Sequence, residues 1–478
     1  MQITEVKKIY SPEKGSHRIY LMEDFSAVKN MEIPDNEKDY ILALEKNDEV
    51  KTVHFNHGDY QVFYVGVPLK KNENATREAF RLAALKVDFG QYKPQEIVVS
   101  DYTTCKGALY FAEGMILSAY KFDKYKSKRS ENTLRYVFIE NDDVEDSEVD
   151  LLNISLQAAY RCRDLSNEPQ SVINSVTIAG EFSEMCEETG ARIEVFNKRK
   201  IESLKMGGIL AVNRGSVTEP TLSLMTWKPE NAVNKKPVVF VGKGVVFDSG
   251  GLNIKTGDFM YDMKMDMAGA AAVSSAFWAV AKAKLPVYLV AVVPATDNRP
   301  GGEAYAPGDI IKMYNGKTVE VINTDAEGRL ILADALSYAA KLDPEMVIDL
   351  ATLTGSAARA VGNQAVAAMK NDGFGYWDML KDAADAVYER MVEFPMWEEY
   401  AESIKSDFAD IKNLGGAEAG MITAAKFLEN FVDYPWVHLD IAGPAILSSK
   451  DRYHPKGGSG VGARLLFDFI VKFVNKQK

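Results

Sequence analysis

The chain reads as an α/β protein: a smaller N-terminal α/β domain, linked by a helix to a larger C-terminal α/β domain with a mixed sheet covered by helices. Three observations predict this. Short β-branched and aromatic runs alternate with helical stretches along the sequence, the rhythm of strand and helix units. From about residue 166 the apolar runs are rich in Val, Ile and Leu and bounded by Gly, Pro or Asp, the pattern of strands buried on both faces. The 478 residues are 46% hydrophobic and 26% charged, an ordinary globular composition long enough for two or three domains.

In the first part, strands are expected at HRIYLM, TVHF, YQVFYVGV, EIVVS and RYVFIE, with helices over 75–86 and 108–120. The polar segment YKSKRSENT reads as an exposed loop. The acidic stretch ENDDVEDSEVD precedes an apolar-periodic segment at 151–165; acidic residues suit a helix N-terminus, so this is the expected linking helix. In the second part, GILAV, LSLMTW, PVVFVG, VYLVAVV, VEVI, MVIDLA and WVHLDI are expected strands. Helices are expected over 268–284 and 330–342, where Leu332, Leu336 and Ala339 share one face.

Charge and composition narrow the function. The formal net charge is −12, which argues against a protein that works by neutralising nucleic-acid phosphates. No apolar run reaches the roughly 18 residues of a membrane span, and MQITEVKKIYSPEKGSHRIY has no stretch like a secretory signal. Cys105, Cys162 and Cys186 lack paired spacing and read as reduced thiols of a cytoplasmic protein. Among five histidines none forms an HExxH-type cluster, so any metal must be held by other ligands.

In α/β sheets ligands bind at the carboxyl ends of strands. PVVFVGKGVVFDSGGLNIK delivers Lys243, Asp248 and Lys255 there; MYDMKMDMAGAAAV places Asp262 and Asp266 one turn apart at a helix start; VEVINTDAEGRLILADAL puts Asp325 and Glu327 after a strand and Arg329 at a helix opening. Each has a plainer reading. Lys243 suits a solvent-exposed turn, Asp248 a turn, Asp262 an N-cap, and Asp325 and Glu327 the positive end of the next helix. GKG is not a phosphate-cradling Walker loop. Two features oppose the plain readings. Asp266 lies amid Met265, Met267 and alanines, an odd setting for an exposed charge. An i, i+2 acidic pair in an extended segment aims both carboxylates one way, as cation binding requires. Four carboxylates and two lysines without histidine suggest a site for one or two divalent cations, which offset a desolvation cost that bare carboxylates cannot. On the carboxylates alone a two-metal phosphoesterase remains open.

NTDAEGRL at 323–330 resembles the signature of the leucyl aminopeptidase, or cytosol aminopeptidase, family. VGKGVVFDSGG, MKMDMAGAAAV, PGDII, GKTVEVINTDAEGRLILADAL, DLATLTGS, HLDIAGPA and GGSGVGARLL are similar to its blocks and stand in its order. The likeness covers 166–478, and YKFDKYKS with the linking helix extends it to the first part. It implies a macro-like α/β domain at 1–146, a linking helix at 147–165 and a catalytic two-metal peptidase domain at 166–478. Residue by residue, it implies metal ligands at Lys243, Asp248, Asp266, Asp325 and Glu327, with Asp248 and Glu327 bridging two ions. It implies non-ligand catalytic groups at Lys255 and Arg329, and no catalytic role for Asp262. Met263, Thr352, Gly355 and Ala442 fall where the family lines the pocket for an uncharged, leucine-like N-terminal side chain. Ala306 before PGD, Ala268 in DMAG and the SNEP segment near Asn167 depart from the family pattern; none is a proposed ligand.

The activity implied is that of an aminopeptidase acting on peptides with a free N-terminus. Two divalent ions, Zn²⁺ or Mn²⁺, activate water; Lys255 polarises the scissile carbonyl; Arg329 holds a bicarbonate that serves as base. The resemblance also implies a homohexamer. The rival from another class is a DNA-binding or scaffolding role on the same fold, opposed by the acidic charge and by the presence of all seven site residues.

Overall fold

The computed structural model describes residues 3–44 and 49–477. By Cα proximity the chain forms two compact units, one of 1–157 with 449–455 and one of 158–448 with 456–478. The division falls inside the helix Asp146–Asn167, which begins with Asp146 and Glu148 in its first turn, where negative charge meets the positive end of the helix dipole.

In the first unit six strands run in the order Glu5–Lys8, Tyr136–Glu140, Glu96–Asp101, Arg18–Met22, Gln61–Gly66 and Lys51–Asn56. All neighbours are parallel except the last pair. The parallel interior strands read as nearly continuous apolar runs because both faces are buried. Helix Glu73–Ala83, capped by the Asn72 side chain on Ala75 N–H, packs on helix Gly107–Ala119. The approach is so close that a Cβ on Gly114 would stand 2.2 Å from the Arg81 carbonyl oxygen. YKSKRSENT is largely exposed, as its composition predicts.

The second unit is built on a mixed nine-stranded sheet. Its centre is the parallel set Leu289–Asn298, Val238–Gly242, Met346–Ala351 and Trp436–Asp440, every residue of which is buried. Antiparallel neighbours Thr221–Trp227 and Val366–Lys370 flank it. The pleat sends alternate side chains to opposite faces. Val239, Val241, Val290 and Val292 share a core with Leu332, Leu336 and Ala339 of helix Gly328–Ala339. On the other face lies helix Ala268–Lys282, where a Cβ on Gly242 would be 2.8 Å from Ala270 Cα. The α/β class and the mixed, helix-covered sheet are as the sequence predicts.

Three local expectations are corrected. GILAV is not a strand but part of helix Gly207–Asn213. A five-residue apolar run is ambiguous in period, and tertiary structure decides it: the Asp334 carboxylate accepts from Ile209 N–H at 2.9 Å, satisfying a first-turn donor that the helix leaves open. VEVI lies outside the main sheet, since Thr318–Glu320 joins Ile310–Lys312 and Ile411–Lys412 in a three-stranded sheet. The segment holding Asp325 and Glu327 is a turn, not extended chain, and Glu327 has helical dihedrals at the cap of Gly328–Ala339. Its carboxylates converge through that turn.

Candidate metal centre

The site grows from the carboxyl ends of the central strands. Lys243 follows Val238–Gly242 and is pinned on both sides: its N–H donates to Leu350 O at 3.0 Å and its carbonyl accepts from Ala270 N–H at 2.9 Å. Gly328 and Gly269 leave the room for it; a Cβ on Gly328 would lie 2.4 Å from Lys243 Cε. The buried ammonium donates to Asp266 Oδ1 at 2.8 Å and to Thr352 O at 2.9 Å, and sits 3.1 Å from Glu327 Oε1. Burial alone would lower its pKa, but Asp266, Glu327 and Asp248 outweigh that and raise it. These carboxylates favour its charged form, and a divalent cation bound among them would displace that proton and leave a neutral amine nitrogen as a ligand.

Strand Gly244–Asp248 delivers Asp248, whose Oδ1 accepts from Gly250 N–H at 2.9 Å and Asn298 Nδ2 at 2.8 Å. The chain then turns through Gly250 and Gly251, both with positive φ. A side chain at Gly250 would be strained by that φ and would meet Asn253 O at 2.3 Å. The turn returns Lys255, whose Nζ lies 2.7 Å from both Asp248 Oδ2 and Asp325 Oδ1. The short helical turn Met263–Met265 leads into buried Asp266, whose Oδ1 also accepts from Thr352 Oγ1 at 2.8 Å. Asp262 precedes that turn, with its backbone carbonyl accepting from Met265 N–H.

Carboxylate oxygens of Asp248, Asp325 and Glu327 lie within 4.8 Å of one another. Burial, then repulsion from Asp248, raises the pKa values of Asp325 and Glu327. Burial also raises Asp266, against the opposing pull of Lys243. Asp266 Oδ2 and Glu327 Oε2 are buried without a hydrogen-bond partner. Crowded carboxylates with spare oxygens fit divalent cations, which would relieve both the repulsion and the unmet acceptors. Hard oxygen donors with an amine nitrogen suit Zn²⁺ or Mn²⁺.

Arg329 is buried beside this cluster. Its Nη1 donates to Asn413 O at 2.7 Å, its Nε has no partner, and burial lowers its pKa to about 10. Thr352, Gly355 and Ala442 are drawn together by Asp440. That carboxylate accepts from Leu353 N–H, Ala442 N–H and Thr354 Oγ1 at 3.1, 3.1 and 2.7 Å. Met263 is half-buried at the start of its helical turn.

Asn253, Asn298 and Asn413 carry none of the signals that marked the other residues. Thr324 shows why. Its N–H donates to Asn253 Oδ1 at 2.9 Å, its hydroxyl donates to Gly250 O at 2.6 Å, and its carbonyl accepts from Asn298 Nδ2 and Tyr305 Oη at 3.0 and 2.7 Å. These asparagines hold the backbone of the acidic loop with side chains supplied by distant segments. Asp440 had a faint sign, an acid closing the apolar run WVHLD.

Residues 160–467 match the model of the cytosol aminopeptidase family, catalytic domain. The chain belongs to the cytosol aminopeptidase family. A probable cytosol aminopeptidase of Syntrophotalea carbinolica is 43% identical over 75% of this chain and 73% of its own length. That of Aquifex aeolicus has the same identity and coverage. One from Chlorobaculum parvum is 49% identical over 64% of this chain and 61% of its own length. Among solved structures, the bottromycin maturation enzyme BotP in complex with Mn superposes with a TM-score of 0.84 at 28% identity, covering 96% of this chain and all of that one. Family membership makes the chain a peptide hydrolase of aminopeptidase type. Among the described residues no helix is long and apolar enough to cross a membrane.

Proposed function

We propose that this family member removes leucine-like, uncharged N-terminal residues from peptides at a two-metal site. The observation that carries the reading is the convergence of Asp248, Asp325 and Glu327 beside Lys243 and Asp266, with two buried carboxylate oxygens left unsatisfied. Lys243, Asp248, Asp266, Asp325 and Glu327 would hold two divalent ions, Zn²⁺ or Mn²⁺. Bound there, such ions supply Lewis acidity and a water ionised near neutral pH.

The chain's own groups do the rest. Asp266, with one oxygen fixed by Lys243 and Thr352, turns its other oxygen to an N–H of the substrate's free amine. Lys255 carries a full positive charge: Asp248, Glu327 and Asp325 raise its pKa against the lowering effect of burial. It polarises the scissile carbonyl and stabilises the oxyanion as the carbonyl carbon becomes tetrahedral. Arg329, fixed by Asn413 and left with an unpaired buried Nε, would hold a bicarbonate, which would supply a general base; a planar fork fits a planar anion. Met263, Thr352, Gly355 and Ala442 receive the N-terminal side chain. We further propose a homohexamer, the closed symmetric kind of assembly common among soluble oligomers. Sedimentation showing a stable monomer at micromolar concentration contradicts that part.

Metal removal tests the reading. Dialysis against chelator should abolish hydrolysis of leucine amide, and Zn²⁺ or Mn²⁺ should restore it, with about two ions bound per chain at saturation. Full activity in chelated, metal-free protein sinks it.

A further inference from the structure

A cavity of about 400 Å³ opens beside the metal centre, and Asp325 and Arg329 form part of its wall. Gly355 also lines it, but Met263, Thr352 and Ala442, the other residues assigned to the N-terminal side-chain pocket, do not. The cavity therefore borders that pocket at Gly355 and extends from the reacting centre past residues not assigned to it. A peptide bound across the centre has only one other part to place there, the portion that departs after cleavage.

The charge of this cavity is unbalanced. Its charged lining residues are Asp325, Arg329 and Arg359. Asp325 already faces Lys255 at 2.7 Å, and Arg329 is fixed through Asn413. Arg359 is different: it is exposed in the last turn of helix Gly355–Val361, and it makes no hydrogen bond or ion pair with any described residue. Its guanidinium folds back over the start of its own helix, with Nη1 3.3 Å from the point a Cβ on Gly355 would occupy. Gly415, Gly416 and Ala417, small residues of the same lining, add no bulk to the cavity, and Arg359 is exposed. An unpaired guanidinium in a substrate cavity whose single acid is engaged is suited to a carboxylate, which it can grip bidentately.

We infer that Arg359 recognises a carboxylate on the leaving portion of the substrate. The inference rests on the aminopeptidase reading above and adds a specificity residue to it. The carboxylate has two sources, the C-terminus of a dipeptide or the acidic side chain of the second residue.

Two peptide pairs distinguish them, assayed with metal-loaded enzyme. Leu-Gly against Leu-Gly-amide reports the C-terminal carboxylate; Leu-Asp-amide against Leu-Asn-amide reports the side chain. In at least one pair the charged peptide should be favoured in kcat/KM by about five- to tenfold, the worth of one charge-assisted contact in a partly exposed site. The difference should lie in KM. Arg359→Ala should bring that ratio near one, Arg359→Lys should keep part of it, and Arg359→Glu should push it below one. The wild-type preference should also shrink between 0.1 and 1 M salt, as the screening length falls from about 10 to about 3 Å. Ratios near one in both wild-type pairs, or a preference unchanged in Arg359→Ala, overturn the inference while leaving the aminopeptidase reading intact. Absence of turnover for all four peptides overturns both.

Discussion

Lys255 and Asp325 are 2.7 Å apart, yet the mechanism gives them separable parts, and substitution should separate them. Asp325→Ala or Glu327→Ala removes a proposed ligand, so metal content and activity should fall together. Lys255→Ala should keep both ions and lower kcat by about 10²–10³-fold, the cost of one lost oxyanion contact. Metal analysis beside steady-state kinetics checks this, and Lys255→Ala with full kcat at saturating metal contradicts its role. At this scale the charged residues were legible because a charge at the end of an apolar strand run, or amid methionines and alanines, conflicts with its surroundings unless it has a use. Asn253, Asn298 and Asn413 were not legible. Asparagine is at home in any turn, and the backbone groups they hold come from remote parts of the chain, 71 residues away for Asn253 and Thr324.

The adjacent strands Met346–Ala351 and Trp436–Asp440 are tied by a buried side-chain link that lies behind the site. Asp349 accepts from Trp436 Nε1 at 2.6 Å and faces His438 Nδ1 at 2.6 Å, all three side chains being fully buried. Burial by itself lowers the His438 pKa, but Asp349 and then Asp440 outweigh it and raise it, with Arg329 opposing. A raised folded pKa means the charged imidazole stabilises the fold fully below its unfolded value of about 6.5, and that the contribution is lost as pH rises through the folded value. Denaturation of the wild type from pH 6 upward should therefore show a fall in stability that His438→Gln lacks. Parallel curves for the two proteins would contradict the link. Strands such as these were legible from uninterrupted Val, Ile and Leu runs. The GILAV helix was not, because its strand-like composition is overruled by Asp334, a carboxylate more than a hundred residues downstream. The acidic pair defeats the extended-segment expectation: its side chains converge because Glu327 caps a helix.

For the whole molecule, the α/β class and mixed sheet followed from the strand and helix rhythm, while the membership of 449–455 in the first compact unit did not. Arg452 and Tyr453 of that segment reach Glu78 at 3.1 and 2.8 Å, a pairing across more than 370 positions that no local pattern announces. The acidic surplus of −12 opposes the DNA-binding alternative, since binding driven by phosphate contacts requires clustered positive charge. The central claim is that the molecule recognises a free amino terminus at a metal centre. It is tested most directly by comparing Leu-Gly with N-acetyl-Leu-Gly at verified metal content. Acetylation removes the basic lone pair and an N–H that Asp266 would accept from, and a site built around a polar contact rejects an analogue lacking it by about 10⁴-fold or more. Cleavage of the free peptide with an essentially inert acetylated one is the predicted result; comparable turnover of both would contradict it.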